Sequence, residues 1–341
     1  PPFANYVHGV EIPAGHRLLV CSGQLGIAPD DAVPEDAEAQ AEICFSNVAA
    51  VLASAGMGPG DVVRINAFVV GRENMAGYMR ARDRFVSSPP PEMTAEDFVS
   101  DTTDWIAVLP AAAIEQHGPH LPLSTDTDIA EGMVAAAIER LPADLPVTFL
   151  PVQAIGKSNE HTTFRGTLTL TWETAMKAWL EIATSVARAG VRKLVIANAH
   201  GGNTAMLDVI ARELRVRIAM LVVHTAWARF GVLSEDERRF GIHGGTMETA
   251  MMLHFRPDLV RMDKAQHFVS AQAAMVRENR FFGIHGPHGF GWQANDLNPH
   301  GVVGDAAAAT AAMGAAIVAH QADGFVELLK EIHRTDLSVM K

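Results

Sequence analysis

Trp105-Ile106-Ala107-Val108-Leu109-Pro110-Ala111-Ala112-Ala113-Ile114-Glu115-Gln116-His117-Gly118-Pro119-His120 decides the reading of the fold. Ten apolar residues in a row suit a strand buried on both faces. The run ends abruptly on ionisable residues. The same grammar recurs downstream. Lys193-Leu194-Val195-Ile196-Ala197-Asn198-Ala199 is a second buried strand, and it ends on His200-Gly201-Gly202-Asn203. Between and after these runs lie helical stretches, predicted over 129–141, 171–189, 203–216 and 246–255. Further strands are expected over 147–152 and 218–224. Two helices are expected at the end of the chain, over 306–322 and then to His333. Strands alternating with helices predict a mostly parallel sheet covered on both faces, an α/β domain. Ligands of such sheets bind beyond the carboxyl ends of the strands.

The N-terminal part reads differently. A strand is expected over 17–21, a helix over 36–55 closed by Gly56, an alternating strand over 62–70 and a helix over 74–86. Pro89-Pro90-Pro91 then interrupts the chain. Three prolines cannot continue a helix and favour an extended linker. The chain therefore divides into residues 1–91 and 92–341.

Composition narrows the class of function. The chain has 341 residues, 48% hydrophobic and 19% charged, enough to bury a sizeable core. A net charge of −12 argues against nucleic acid and against binding an anionic membrane by charge. No apolar run approaches about 18 residues, so no transmembrane helix is expected. Residues 1–5 resemble no signal peptide, and a cytoplasmic protein is the expectation. Cys21 and Cys44 occur in unlike contexts and suggest neither a disulfide framework nor a thiolate zinc site.

The chemistry-bearing residues sit at strand ends or helix starts. Glu115 and His117 are two apart in extended chain, so both point to one face. Asp126 follows on a polar loop just before a helix, where its two oxygens suit a bridge between two cations. His200 closes the second strand. Gly201 and Gly202 leave room for close backbone approach, and Asn203 suits a helix N-cap. Glu248, in His243-Gly244-Gly245-Thr246-Met247-Glu248, falls in a first helical turn, where the dipole favours a carboxylate. Imidazole and carboxylate donors without thiolates suit Zn, Mn or Fe(II). These segments make the chain a candidate metal-dependent hydrolase.

Glu115-Gln116-His117-Gly118-Pro119-His120-Leu121-Pro122, Thr125-Asp126, Gly166-Thr167, Asn198-x-His200-Gly201-Gly202-Asn203 and His243-Gly244-Gly245-x-x-Glu248-Thr249 resemble the creatininase (creatinine amidohydrolase) family, over about residues 94–334. The resemblance implies a three-layer α/β/α domain with a dinuclear metal site that hydrolyses amide C–N bonds. Glu115, Asp126 and His200 would hold one metal; His117 and the shared Asp126 would hold the other. Creatinine-hydrolysing members carry a glutamate where this chain has Gly202, and Glu248 is the candidate replacement. Trp227 fits one position of the family's aromatic lid, but Arg239 stands where a second tryptophan is looked for.

Relatives with the His-Gly-Gly-Asn form include formamide deformylases and a peptide-processing amidase. A small cyclic amide or a formamide-like molecule is therefore the expected substrate. A metal-bridging hydroxide would attack it. His243, with a pKa near 7, would protonate the leaving nitrogen or else only hydrogen-bond the substrate. His161 either lines the pocket or stands behind it. With His161, Trp227, Gly201 and Gly202 complete the substrate-binding candidates. Asp128 reads as a cap or supporting group, and 283–304 as a long loop that covers the site or reaches another subunit.

Val20-Cys21-Ser22-Gly23-Gln24-Leu25-Gly26, Leu52-Ala53-Ser54-Ala55-Gly56 and Asp61-Val62-Val63-Arg64-Ile65-Asn66-Ala67-Phe68-Val69 resemble the start of an enamine/imine deaminase domain of the RidA type, a smaller α+β unit. After the prolines that family continues with a carboxylate-gripping arginine, for which Glu92-Met93 offers no counterpart. The resemblances imply a trimeric or hexameric homo-oligomer. Two other readings stay open: a non-catalytic metal-binding assembly protein, and a bifunctional hydrolase and deaminase.

Overall fold

The computed structural model describes residues 19–28, 31–55, 57–58, 62, 64–86, 98, 101–142, 144–227, 235–285 and 288–339. The chain forms two compact units, Pro1–Met93 and Thr94–Lys341.

In the first unit, α1 (Ala37–Ser54) starts at Asp36, whose carboxylate accepts from the backbone of Glu38 and Ala39 at 2.9 and 3.0 Å. It packs on α2 (Met75–Val86). Phe45 lies between Phe85, stacked at 4.8 Å, and Tyr78, tilted at 6.0 Å. The two expected strands do not form among the described residues: 19–21 and 64–70 are irregular. A strand exists only through ladder bonds to a neighbour. Among the described residues neither run has a ladder partner, and Val20, Phe68 and Val70 are exposed by 80%, 98% and 87%. Arg17, Leu18 and the Pro89–Pro91 linker lie outside the described residues.

The second unit is the α/β/α sandwich that the strand–helix alternation predicts. Its sheet runs in the order β2 (Val147–Phe149), β1 (Ile106–Ala111), β3 (Lys193–Asn198), β4 (Leu221–Ala226), all parallel. Every residue of β1 and β3 is buried. Alternation divides β1 between two cores. Ala107, Leu109 and Ala111 meet α4 (Trp172–Arg188) and α5 (Thr204–Ile218). Ile106 and Val108 face the opposite way, toward α3 (Thr125–Ile138), α7 (Thr246–Phe255) and α10 (Ala311–Arg334); the short helices α6 (Glu235–Phe240), α8 (Gln272–Glu278) and α9 (Ala294–Leu297) flank α7 in sequence.

Helix α4 shows why these segments are helical. Ala175, Trp179, Ala183 and Ala187 recur every four residues and form its buried stripe. Thr171 caps the start, and Gly190, at φ 95°, ends the helix in the left-handed region.

Strand β1 ends at Ala111, three residues before the apolar run does, and four further boundaries differ from the sequence expectation. Helix α3 begins at Thr125, four residues early, because Thr125-Asp126-Thr127-Asp128 hides a helix start behind polar side chains. Carboxylates in a first turn are favoured by the dipole, so Asp126 stands on the helix and not in a loop. The C-terminal pair of helices is a single α10, whose Thr310 side chain caps Met313. Its tight seat against α7 depends on Gly314, since a Cβ there would strike the carbonyl of Ala250. Strand β2 spans only three residues, shortened before Pro151. Strand β4 starts three residues late, after α5 runs on to Ile218 and closes at Ala219 with φ 53°.

Candidate metal centre

The carboxyl ends of β1 and β3 deliver the first donors. Glu115 and His117 are fully buried, and His200 is 4% exposed. The first turn of α3 brings Asp126, and the first turn of α7 brings Glu248. Glycines let these segments converge. Gly118 and Gly244 adopt φ of 73° and 67°, and the side chain of Val302 lies where a Cβ on either would stand.

The donors fall into two groups that share Asp126: Glu115, Asp126 and His200; and His117, Asp126 and Glu248. Within each group the ligand atoms lie within 4.8 Å of one another. Asp126 Oδ1 is 3.2 Å from His117 Nε2, and Oδ2 is 3.3 Å from His200 Nδ1. Glu248 Oε2 stands 3.7 Å from His117 Nε2 and accepts from Gly244 N at 2.6 Å. Both oxygens of Glu115, His117 Nε2 and Asp126 Oδ2 are buried without a hydrogen-bond partner. Buried polar atoms are normally paired. Four orphans from three residues, aimed at one space, are what a cation would satisfy.

Each imidazole is oriented from behind, as metal ligands are. His117 Nδ1 donates to the Glu115 carbonyl at 3.1 Å, which turns Nε2 inward. His200 Nε2 donates to the Lys157 carbonyl at 2.9 Å, which turns Nδ1 inward. His243 Nε2 donates to the Gln116 carbonyl at 2.7 Å, leaving Nδ1 as a lone pair 3.6 Å from Glu115 Oε1. Gln116 Nε2 donates to His161 Nδ1 at 2.8 Å and to the Gly301 carbonyl at 2.6 Å. His161 therefore presents Nε2–H, 3.4 Å from Glu115 Oε1.

Charge and burial compete inside the pocket. Burial works against the His117 imidazolium, but Asp126, Glu248 and Glu115 outweigh it and lift His117 to about 9. Burial also opposes the His200 cation, and Glu115 and Asp126 again prevail and raise it. Burial raises Glu248 to about 7, with His117 opposing and Asp126 assisting. Glu115 rises through burial, against the pull of His200. Burial works on Asp126 in the same direction, yet His117 and His200 hold its carboxyl well below the usual range. Burial and the neighbouring His117 push His161 down to about 3 and His243 well below its ordinary value. The pKa near 7 expected of His243 is thus corrected: burial and the neighbouring His117 outweigh the opposing pull of Asp126.

Three other expectations change. Trp227 does not join the pocket donors. It is 2% exposed and packs on Phe325 at 4.4 Å in the core beneath α10. Arg239 is exposed on α6 (Glu235–Phe240), over the Phe240 ring. Asn203 stands at the N-cap of α5 as expected, but its side chain makes no capping bond. It is fully buried, and its amide donates to Ala112 O at 3.2 Å and to Asn198 Oδ1 at 3.1 Å, while its oxygen accepts from Lys157 N at 2.9 Å. Asn203→Ala should therefore destabilise the fold by about 2–4 kcal/mol, since it leaves buried partners unsatisfied. Chemical denaturation measures this, and a loss below about 0.5 kcal/mol would contradict the role. Gly201 is exposed with open space where a Cβ would stand, while Gly202 is crowded. Asp128 accepts from Ser124 Oγ at 2.7 Å, away from the donor groups. The 283–304 segment closes onto the site through Gly301 and through Val303 N, which donates to His243 O at 2.8 Å.

Two participants went unassigned from sequence. Gln116 is the hub just described. Glu160 forms a further donor group with Glu115 and His161. Its only advance signal was its place beside His161 in a polar loop.

Comparison with known proteins shows the family and the fold of the second unit. The creatinine amidohydrolase family model matches residues 91–329, and the endoribonuclease L-PSP model matches residues 1–97. The mycofactocin precursor peptide peptidase of Mycobacterium ulcerans is 33% identical over 229 residues, spanning 65% of this chain and 84% of that protein. The creatinine amidohydrolase of Pseudomonas putida is 30% identical over 181 residues, 47% of this chain and 68% of that protein. The crystal structure of a creatinine amidohydrolase (creatininase) aligns with a TM-score of 0.59 at 23% identity, covering 73% of this chain and all (100%) of that one, which shows the shared fold.

Proposed function

Since the chain belongs to the creatininase (creatinine amidohydrolase) family, we propose that its second unit is a dinuclear metal-dependent amidohydrolase that cleaves the C–N bond of a small amide. The observation that carries this reading is the set of four orphaned, buried donor atoms around the shared Asp126. Glu115, Asp126 and His200 would hold one divalent ion, and His117, Asp126 and Glu248 the other. Zn, Mn or Fe(II) suits such donors. When bound, the ions supply Lewis-acid activation of water and of the substrate carbonyl.

The chain's own residues then handle orientation and protons. His243 is neutral at pH 7, and its Nε2–H is held by Gln116 O. Its Nδ1 lone pair accepts the proton that the attacking water loses and returns it to the departing nitrogen. This reverses the order expected from the sequence, in which His243 begins as an acid. His161 presents a fixed N–H donor to the same space and stabilises negative charge developing on the carbonyl oxygen. Gln116 sets both rings, through its carbonyl and its side-chain amide.

Relatives named for a peptide and for creatinine bracket the substrate class. Protein reconstituted with Zn, Mn or Fe(II) should bind about two equivalents per chain and hydrolyse members of a panel of cyclic amides, formamides and short peptides. Metal analysis finding no bound ion after reconstitution would reject the reading.

A further inference from the structure

Gly202 is crowded in a particular way. A Cβ there would collide with Glu160 Oε1, His200 Nε2 and the Lys157 carbonyl. Those three atoms are the groups meeting behind the His200 ring. His200 Nε2 lies 2.9 Å from Lys157 O, 3.3 Å from Ser158 Oγ and 3.5 Å from Glu160 Oε1. The opposite nitrogen, Nδ1, faces Glu115 and Asp126 at 3.1 and 3.3 Å.

The segment that brings these groups is fastened at both strands of its approach. Lys157 N donates to Asn203 Oδ1 at 2.9 Å, and Ser158 N donates to Thr169 Oγ1 at 2.8 Å. Glu160 is held on its other oxygen by Lys157 Nζ at 3.9 Å. Its side chain is 15% exposed and that of His200 is 4%, so solvent does little to screen the pair.

We propose that Glu160 is a positioning residue for His200, and that position 202 is glycine because the Glu160 carboxylate, the His200 ring and the Lys157 carbonyl together fill the space a side chain would take. The proposal rests on the metal-centre reading above. Glu160 belongs to neither donor group that shares Asp126; it meets His200 at Nε2, on the side away from Asp126, and acts through the imidazole. A carboxylate behind Nε2–H fixes the ring and its tautomer, and it increases the electron density that Nδ1 offers inward. Lys157 O and Ser158 Oγ supply the direct hydrogen bonds, and Glu160 supplies the charge. A side chain at 202 would thus displace the Glu160 carboxylate as well as press on the His200 ring.

The test is a double-mutant cycle read by Co²⁺ alone, through its affinity and its visible absorption spectrum. Glu160→Ala and Gly202→Ala should each weaken Co²⁺ binding about 10–100-fold and alter the spectrum. The second substitution displaces the carboxylate that the first deletes, so the double variant should lose less than the product of the single losses. Glu160→Gln keeps the volume and guards against misfolding. It should weaken Co²⁺ and shift the spectrum while thermal unfolding of the metal-free protein stays unchanged. Single variants that bind Co²⁺ within twofold of the parent, or losses that multiply in the double variant, would overturn the pairing. Failure of the parent protein to bind Co²⁺ would instead reject the metal-centre reading itself.

Discussion

Asp126→Asn should empty both cation positions together. Asp126 is the one residue common to the two donor groups, with Oδ1 3.2 Å from His117 Nε2 and Oδ2 3.3 Å from His200 Nδ1. Asparagine keeps the shape but removes the charge and turns one acceptor into an N–H₂ donor, which cannot ligate a cation. The site then loses the one carboxylate that faces both imidazoles and joins the two halves. Metal content should fall from about two equivalents to well under one, and kcat/KM should drop about 10³-fold or more, the loss of several kcal/mol of charge stabilisation at the transition state. Asp128→Asn is the control. It lies on the same first turn, but Ser124 and Arg256 hold it away from the donors, and it should keep both ions. Two ions retained in Asp126→Asn would show that this carboxylate is not the shared ligand.

Metal loading should release protons at neutral pH. In the metal-free protein His117, lifted to about 9, and His200, also raised, are cations at pH 7. Each must shed the proton on its pocket-facing nitrogen before it can donate a lone pair. Glu248, raised to about 7, must also be deprotonated to ligate, so apparent affinity should climb by about three log units per pH unit near pH 6, easing to about two near pH 8.

Stability carries the same sign. The raised pKa of His117 stabilises the metal-free fold fully below its unfolded value of 6.5, and this is lost as pH rises through about 9. Glu248, raised from 4.5 to about 7, also binds its proton more tightly when folded, so the metal-free fold weakens as pH rises through that window. The gap in Tm between loaded and metal-free protein should widen from pH 6 to pH 8. Calorimetric titration in buffers of different ionisation enthalpy counts the protons. Zero release at pH 7 would show that the imidazoles are already neutral.

Much of the site was legible because its ligands follow local rules. Glu115 and His117 share a face through the two-residue period of an extended chain, and His200 ends a strand whose apolar run is unmistakable. Glu248 sits one turn into a helix that the sequence places correctly at Thr246–Phe255. Residues were misread where no local rule discriminates. Trp227 looks the same in a lid or in a core, and only its contact with Phe325 decides. Asn203 has the chemistry of a cap, yet its amide bridges β3, the segment after β1 and the Lys157 loop. The strands expected over 17–21 and 62–70 have the right alternation, but alternation cannot supply a partner.

The sequence by itself determined the parallel α/β/α architecture and named the candidate donors, since both are written in periodicities of two and 3.6 residues and in residue chemistry. The tertiary structure alone decided which donors meet, how each imidazole is turned and where each proton rests. Those depend on atoms far apart in the chain. Glu160 and His200 are forty positions apart, and His243 and Gln116 further still. They face one another only because packing the two helical layers on the sheet holds them there, out of water, where burial and a single neighbouring charge outweigh intrinsic preference.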